Sequence, residues 1–154
     1  MKILIITDSH GNMNKIYDII TQENPTLVIW TGDHSWDGEE CSFAFPEIKF
    51  SIVRGNCDVF DRKFNDNEIL DVEGVKILIT HGHLYNVKQN LFTLEAVAEK
   101  YKVDAVCFGH THIPYLNRKN GIEYFNPGAL KDNRYGVLLI ENKELTFNYK
   151  EIKQ

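Results

Sequence analysis

Cysteine is scarce in this 154-residue chain. Cys41, Cys57 and Cys107 are odd in number, widely spaced and form no CxxC pair. That argues against a disulfide framework and against a structural zinc site built on thiolates, and leaves reduced thiols as the expected state. Long apolar runs are also missing. No stretch approaches the ~20 apolar residues of a membrane span. The apolar run in "MKILIITDSH" is too short for a signal-peptide core and is cut off by Asp8. Positive charge is in deficit, with 17 Lys and Arg against 22 Asp and Glu and a net charge of −5. Non-specific binding to nucleic acid or to an anionic membrane rests on phosphate neutralisation by Lys and Arg, so neither is expected. One phosphate in a local site stays compatible with this balance. Repeats, low-complexity tracts and linkers are absent. What remains is a globular composition, 43% hydrophobic and 25% charged, long enough to bury a core. The expectation is a single domain over residues 1–154, soluble and cytoplasmic.

The first half alternates strand and helix signals. "KILIIT" is a continuous apolar run, as in a strand buried on both faces. "NKIYDIITQE" puts Ile16, Ile19 and Ile20 on one helical face. "TLVIWT" and "FSIVR" read as further strands, and "EILDVEGVKILIT" as two strands joined near Glu73-Gly74. "LFTLEAVAEKY" places Leu91, Leu94, Ala98 and Tyr101 at helical spacing, and "DAVCFG" is another buried strand. The last third changes character. Asn120-Gly121 between strand-like runs is a hairpin signal, and a second hairpin turns at Asn142-Lys143. This pattern, α/β in front and antiparallel β behind, predicts two packed sheets with helices outside.

All six histidines lie just beyond a predicted strand. Asp8 and His10 follow the strand at 3–7, and Asp33 and His34 that at 27–31. Asn56 and Asp58 follow 51–54, His81 and His83 follow 76–80, and His110 and His112 follow 105–108. The carboxyl ends of strands in an α/β sheet form one rim, where ligands bind. Five distant segments thus deliver Asp, Asn and His to one place. A glycine stands at each junction, as a strand that stops sharply to present a side chain requires.

Carboxylate, imidazole and amide oxygen together suit manganese, iron, zinc, cobalt or nickel rather than calcium. Seven candidate ligands, Asp8, His10, Asp33, Asn56, His81, His110 and His112, are too many for one tetrahedral ion and fit two. Two ions ~3.5–4 Å apart are the usual device for phosphoester hydrolysis. Each motif taken singly has a plain alternative. Asp-x-His occurs by chance, Gly55-Asn56 reads as a turn, and alternate histidines can be solvated and idle. Their recurrence after five successive strands is what points to a metal. His34 reads as a pocket wall or surface residue, Trp30 and Trp36 as core and rim aromatics, and Arg54 as an ion-pair partner. Cys41 and Cys107 read as small core residues, and Asn126-Pro127-Gly128 as a turn.

The motifs "DSH" at 8–10, "GD" at 32–33, "GN" at 55–56, "THGH" at 80–83, "GHTH" at 109–112 and "NPG" at 126–128 resemble those of the calcineurin-like metallophosphoesterase superfamily, over nearly the whole chain. The small uncapped bacterial and archaeal phosphodiesterases are the nearest type. The resemblance implies an α/β class fold, a four-layer α/β/β/α sandwich of two mixed sheets flanked by helices. It implies one ion on Asp8, His10, Asp33 and His112 and another on Asp33, Asn56, His81 and His110, with Asp33 and the attacking hydroxide bridging. His83 would orient a ligand through a hydrogen bond. Asp33, Asn56, His81, Asp58 and Cys57 are the implied catalytic positions, and manganese is the first choice of metal, with nickel, iron, zinc or cobalt as alternatives. Cys57 departs from the family, which commonly has a histidine there. A thiol is a weak hydrogen-bond donor and carries no imidazolium charge. "GDHSWD" offers Asp37 one place late for the family's acidic residue, so Asp37 is assigned no role.

The implied function is a dinuclear-metal-dependent phosphodiesterase acting on small or exposed phosphodiesters. A phosphomonoesterase or cyclic-nucleotide phosphodiesterase is the alternative within enzymes. A non-catalytic protein-binding scaffold of the same fold, as the retromer subunit resembles, is the alternative from another class. Scaffolds can lose ligands without cost, whereas all seven positions here carry competent ones. The absence of a cap leaves the pocket walls sparse, with room for a homo-oligomer whose neighbouring subunit helps shape them.

Overall fold

Strand β1 (Lys2–Ile6) is apolar from Ile3 onward because both its faces are covered there. In a computed structural model, which describes residues 1–153, Ile3 and Ile5 face a second sheet while Leu4 and Ile6 face helices. β2 (Leu27–Trp30) repeats this alternation, with Leu27 and Ile29 inward and Val28 and Trp30 outward. The first sheet is completed by β3 (Lys49–Ile52), β9 (Arg134–Glu141) and β10 (Glu144–Glu151), in the order β10-β9-β1-β2-β3. β1, β2 and β3 run parallel, while β9 runs antiparallel to both its neighbours, β1 and β10. The second sheet contains β4 (Asn67–Val72), β5 (Val75–Thr80), β6 (Ala105–Cys107), β7 (Tyr115–Lys119) and β8 (Ile122–Asn126), ordered β4-β5-β6-β8-β7. β5, β6 and β8 are parallel to one another.

The sheets pack face to face through Ile3, Ile5, Ile29, Ile77, Ile79 and Phe125, among others. Helices α1 (Met13–Glu23) and α2 (Ser35–Ala44) cover the first sheet, and α3 (Phe92–Tyr101) covers the second. The result is the expected four-layer α/β/β/α sandwich. The three hairpins turn where expected. Glu73-Gly74, Asn120-Gly121 and Asn142-Lys143 all have positive φ at both central positions, the twist that suits two-residue hairpins. No helix among the described residues is long and apolar enough to cross a membrane.

Two details differ from the sequence reading. The helix at 92–101 buries Leu94 and Ala98, but Tyr101 is exposed and Val103 packs there instead. Helix α2 carries no apolar periodicity and was not expected. Its buried residues are Ser35, Asp37, Gly38 and Cys41, and it packs so closely on Trp30 that a Cβ at Gly38 would lie 2.9 Å from the indole. Parallel alignment of β1, β2 and β3, and of β5 and β6, brings the ends of five strands to one edge of the sandwich.

Candidate metal centre

The floor of that edge consists of Asp8, Asp33 and His81, all buried. His81 follows β5, and its Nδ1 donates to the carbonyl of Thr31 across the sheets (2.8 Å). That bond leaves Nε2 with its lone pair free. Nε2 faces Asn56 Oδ1 at 3.0 Å, Asp33 Oδ2 at 3.5 Å and Asp8 Oδ1 at 3.8 Å. Four lone-pair atoms thus converge in a buried place. A cation at their centre, either a proton on Nε2 or a metal ion, is what relieves their repulsion.

A second group adjoins the first through Asp8. Asp8, His10 and His112 hold ligand atoms mutually within 4.8 Å, as do Asp8, Asp33 and His81. His112 Nε2 lies 3.1 Å from Asp8 Oδ1. The other oxygen of Asp8 accepts from the Thr7 hydroxyl (2.6 Å) and the His110 amide (3.3 Å). The ring of His110 lies 5.0 Å from that of His81 and 6.1 Å from that of His83. The structure therefore brings all seven candidate ligands to one edge, with Asp8 the carboxylate common to both groups. His10 and Asn56 are the exposed rim of a buried floor. His83 sits 5.4 Å from the His81 ring with a buried, unpartnered Nδ1.

Close packing holds the ligand loops. A Cβ at Gly55 would collide with the Asp33 carboxylate, so only glycine lets the Asn56 loop approach it. Asp33 Oδ1 accepts the Cys57 amide at 2.9 Å. Asp58, in contrast, turns away from the site. Its carboxylate accepts the amides of Ser35 (3.0 Å) and Gly55 (2.7 Å), tying α2 to the loop. Asn126 of the NPG turn is buried and donates to the Gly109 carbonyl and the Thr111 hydroxyl, both at 3.0 Å, so that turn props the GHTH loop. Asp37 is buried and accepts from Ser9 Oγ (2.7 Å) and the Gly11 amide (3.0 Å), bracing the DSH loop. The bracing roles of Asn126 and Asp37 carry no sequence signal beyond their nearness to a motif. Arg54 pairs with Asp66 at 2.6 Å, as expected of it, in a cleft of about 320 Å³ beside Asn56. Trp30 is buried and Trp36 half-exposed.

Electrostatics follow from this packing. Burial would raise the Asp33 carboxyl, but His81 and the Cys57 amide outweigh it and hold it low. Burial and the neighbouring His81 push His110 down to about 4, and lower His83 as well. Burial and His34 lower His10. These shifts all favour the neutral ring, the form in which imidazole ligates metal. Burial and the Asp33 carboxylate push the Cys57 thiol up to about 11.

This chain belongs to the calcineurin-like phosphoesterase superfamily, whose domain model matches residues 1–143. It is 34% identical to the probable metallophosphoesterase YsnB of Bacillus subtilis, over 97% of this chain and 90% of that one. It is 28% identical to a phosphodiesterase of Methanocaldococcus jannaschii, over 99% and 98%. The crystal structure of Vps29 from Entamoeba histolytica, complexed with zinc, shares the fold with a TM-score of 0.81 at 20% identity, covering 99% of this chain and 98% of that one.

Proposed function

We propose that this chain is a phosphodiesterase dependent on two divalent transition-metal ions. The observation that carries this reading is the convergence of His81 Nε2, aimed by the Nδ1 bond to Thr31, with the oxygens of Asp8, Asp33 and Asn56. The donor set fits such ions. Asp8, His10, Asp33 and His112 would hold one, and Asp33, Asn56, His81 and His110 the other, with Asp33 shared between the ions as the family pattern implies, although Asp8 is the carboxylate whose ligand atoms stand in both compact groups. Manganese is the first choice, with nickel, iron, zinc or cobalt as alternatives. When bound, two divalent ions neutralise phosphoryl oxygens and lower the pKa of water so that hydroxide is at hand near neutral pH. Two aspartates against four positive charges leave a net positive centre, which suits an anionic diester.

The chain's own residues do the rest. The Thr7 hydroxyl and the Cys57 amide hold the two carboxylates in place, and the Thr31 carbonyl holds His81. Asn56 and Cys57, exposed on the rim, are the groups a substrate meets. Asp58 acts by positioning that rim through backbone amides. Cys57 stays a neutral thiol, so a departing alkoxide receives little help from it. Diesters with acidic leaving groups are the favoured substrates. Relatives named as phosphodiesterases, from Escherichia coli and Methanocaldococcus jannaschii, support the diester over the monoester.

The test is chelation, followed by return of single metals against a panel of mono-, di- and cyclic phosphoesters. Chelation should abolish hydrolysis while circular dichroism keeps its shape, since the ligands sit on loops above a filled core. Manganese should restore diester hydrolysis, with about two ions bound per chain. Full activity after chelation, or no hydrolysis with any metal, would overturn the reading.

A further inference from the structure

His34 stands outside the proposed ligand set, yet it touches that set. Its Nε2 lies 3.1 Å from Nδ1 of His10, and the two rings meet near edge-on with centroids 4.7 Å apart. Two neutral ring nitrogens this close share one proton, so one donates and the other accepts. Asp37 decides which. Its buried carboxylate is anchored by Ser9 and Gly11, and its Oδ2 lies 3.7 Å from Nδ1 of His34. That is too long for a direct hydrogen bond. It is short enough for the negative charge to favour the tautomer with the proton on the nitrogen facing it. His34 Nδ1 is buried and has no other partner.

A proton on Nδ1 makes Nε2 of His34 the acceptor. Nδ1 of His10 must then donate, which leaves Nε2 of His10 as its one bare lone pair; His10 is one of three residues, with Asp8 and His112, whose ligand atoms converge. Other uses of His34 are weaker. It stands at the N-cap of α2 but makes no capping hydrogen bond, so its side chain does not hold the helix. Trp36 packs against it, ring centroids 4.6 Å apart, and restricts its rotation from the solvent side.

We propose that His34 is a positioning residue for His10, fixing its tautomer and ring orientation so that Nε2 is the atom offered to a divalent transition-metal ion. This rests on the metal-dependent reading above. It replaces the sequence view of His34 as a pocket wall, and it gives Asp37 a purpose.

The experiment is a zinc titration of the full chain, unchanged and with His34→Phe or His34→Gln, together with long-range ¹H–¹⁵N spectra of the zinc-loaded protein. Both variants place an L side chain on the same left-handed backbone (φ 59°), so backbone strain is matched. Phe keeps the ring and removes the acceptor, while Gln can return an acceptor oxygen. His34→Phe should weaken zinc binding by about 10–100-fold, the usual cost of losing a partner of a ligating histidine. His34→Gln should restore most of that loss. The spectra should show His10 bound through Nε2 with the proton on Nδ1. Unaltered affinity in His34→Phe, equal losses in both variants, or zinc on Nδ1 of His10 would overturn the positioning role alone. Failure of the unchanged chain to bind zinc or any other divalent transition metal would overturn the proposed function instead, and this role with it.

Discussion

Five of the candidate ligands, Asp8, His10, Asp33, His110 and His112, have left-handed backbones. Each such residue costs of order 1–3 kcal/mol. Five together rival the ~5–15 kcal/mol by which a whole domain is stable. The backbone is held there because its polar groups are satisfied across loops. The Asp8 amide donates to Gly32, and the Gly109 amide donates to His81. Cys57 is the residue whose substitution speaks most directly to chemistry. Its Sγ lies on the exposed rim, 3.6 Å from Asn56 Nδ2. A thiol titrates near ~8.5 and an imidazole near ~6.5 in reference peptides, so imidazole is the better acid near neutrality. Positioned acid catalysis is worth about 10²–10⁴ in rate when the leaving group needs it. Cys57→His is therefore expected to speed diesters with alkoxide leaving groups by about 10² or more and to leave phenolic diesters nearly unchanged. The measurement is kcat/KM against leaving-group pKa, with metal content checked. Identical slopes for the two proteins would sink the argument.

At the scale of elements, the site depends on how α2 is tied to the loop after β3. One carboxylate, Asp58, accepts an amide from each, and the Ser35 hydroxyl adds a bond to Asp61. Asp58 is buried, so its removal leaves two buried donors without partners. Hydrogen bonds to a charged group contribute roughly 1.5–3 kcal/mol. The two bonds together are worth roughly 3–6 kcal/mol, so Asp58→Ala should lower Tm by roughly 6–24 °C. It should also weaken metal binding, because Gly55 packs on Asp33. Calorimetry and a metal titration check both parts. A variant as stable as the unchanged chain would show that the clamp does not hold the two elements.

For the whole molecule, Glu23 links the layers. It ends α1, buried, where it accepts from Tyr135 of β9 (2.8 Å) and pairs with Lys2 of β1 (2.7 Å). Burial would raise its carboxyl, but Lys2 and Tyr135 outweigh it, so the folded value lies below the ordinary 4.5. A depressed carboxyl contributes stability above its unfolded pKa and loses it as pH falls through the folded one. Glu23→Gln should cost roughly 1 kcal/mol at pH 7, since Lys2 is partly exposed and screened. The stability gap between the two proteins should stay level down to about pH 5 and close below 4.5. Denaturant titrations from pH 7 to 3 measure it, and a gap that widened in acid would reverse the assignment.

The sequence by itself determined the strands, the hairpins and the candidate ligand types, because these are local. An apolar run buried on both faces, an Asn-Gly turn or a histidine after a strand is written in a few consecutive residues. Two packed sheets followed from the same pattern, and the residues 8, 10, 33, 56, 81, 110 and 112 were visible as one recurring ending. Helix α2 was not visible, because it packs through Gly38 and buried polar groups rather than through an apolar stripe. Only the tertiary structure decided that Asp8 is shared by both ligand groups, that Asp58 faces the backbone, and that Asp37 and His34 stand behind His10. These outcomes depend on which atom of each side chain points where. Residues distant in sequence meet there across two sheets, and orientation at that range is set by packing and hydrogen bonds that no local pattern records.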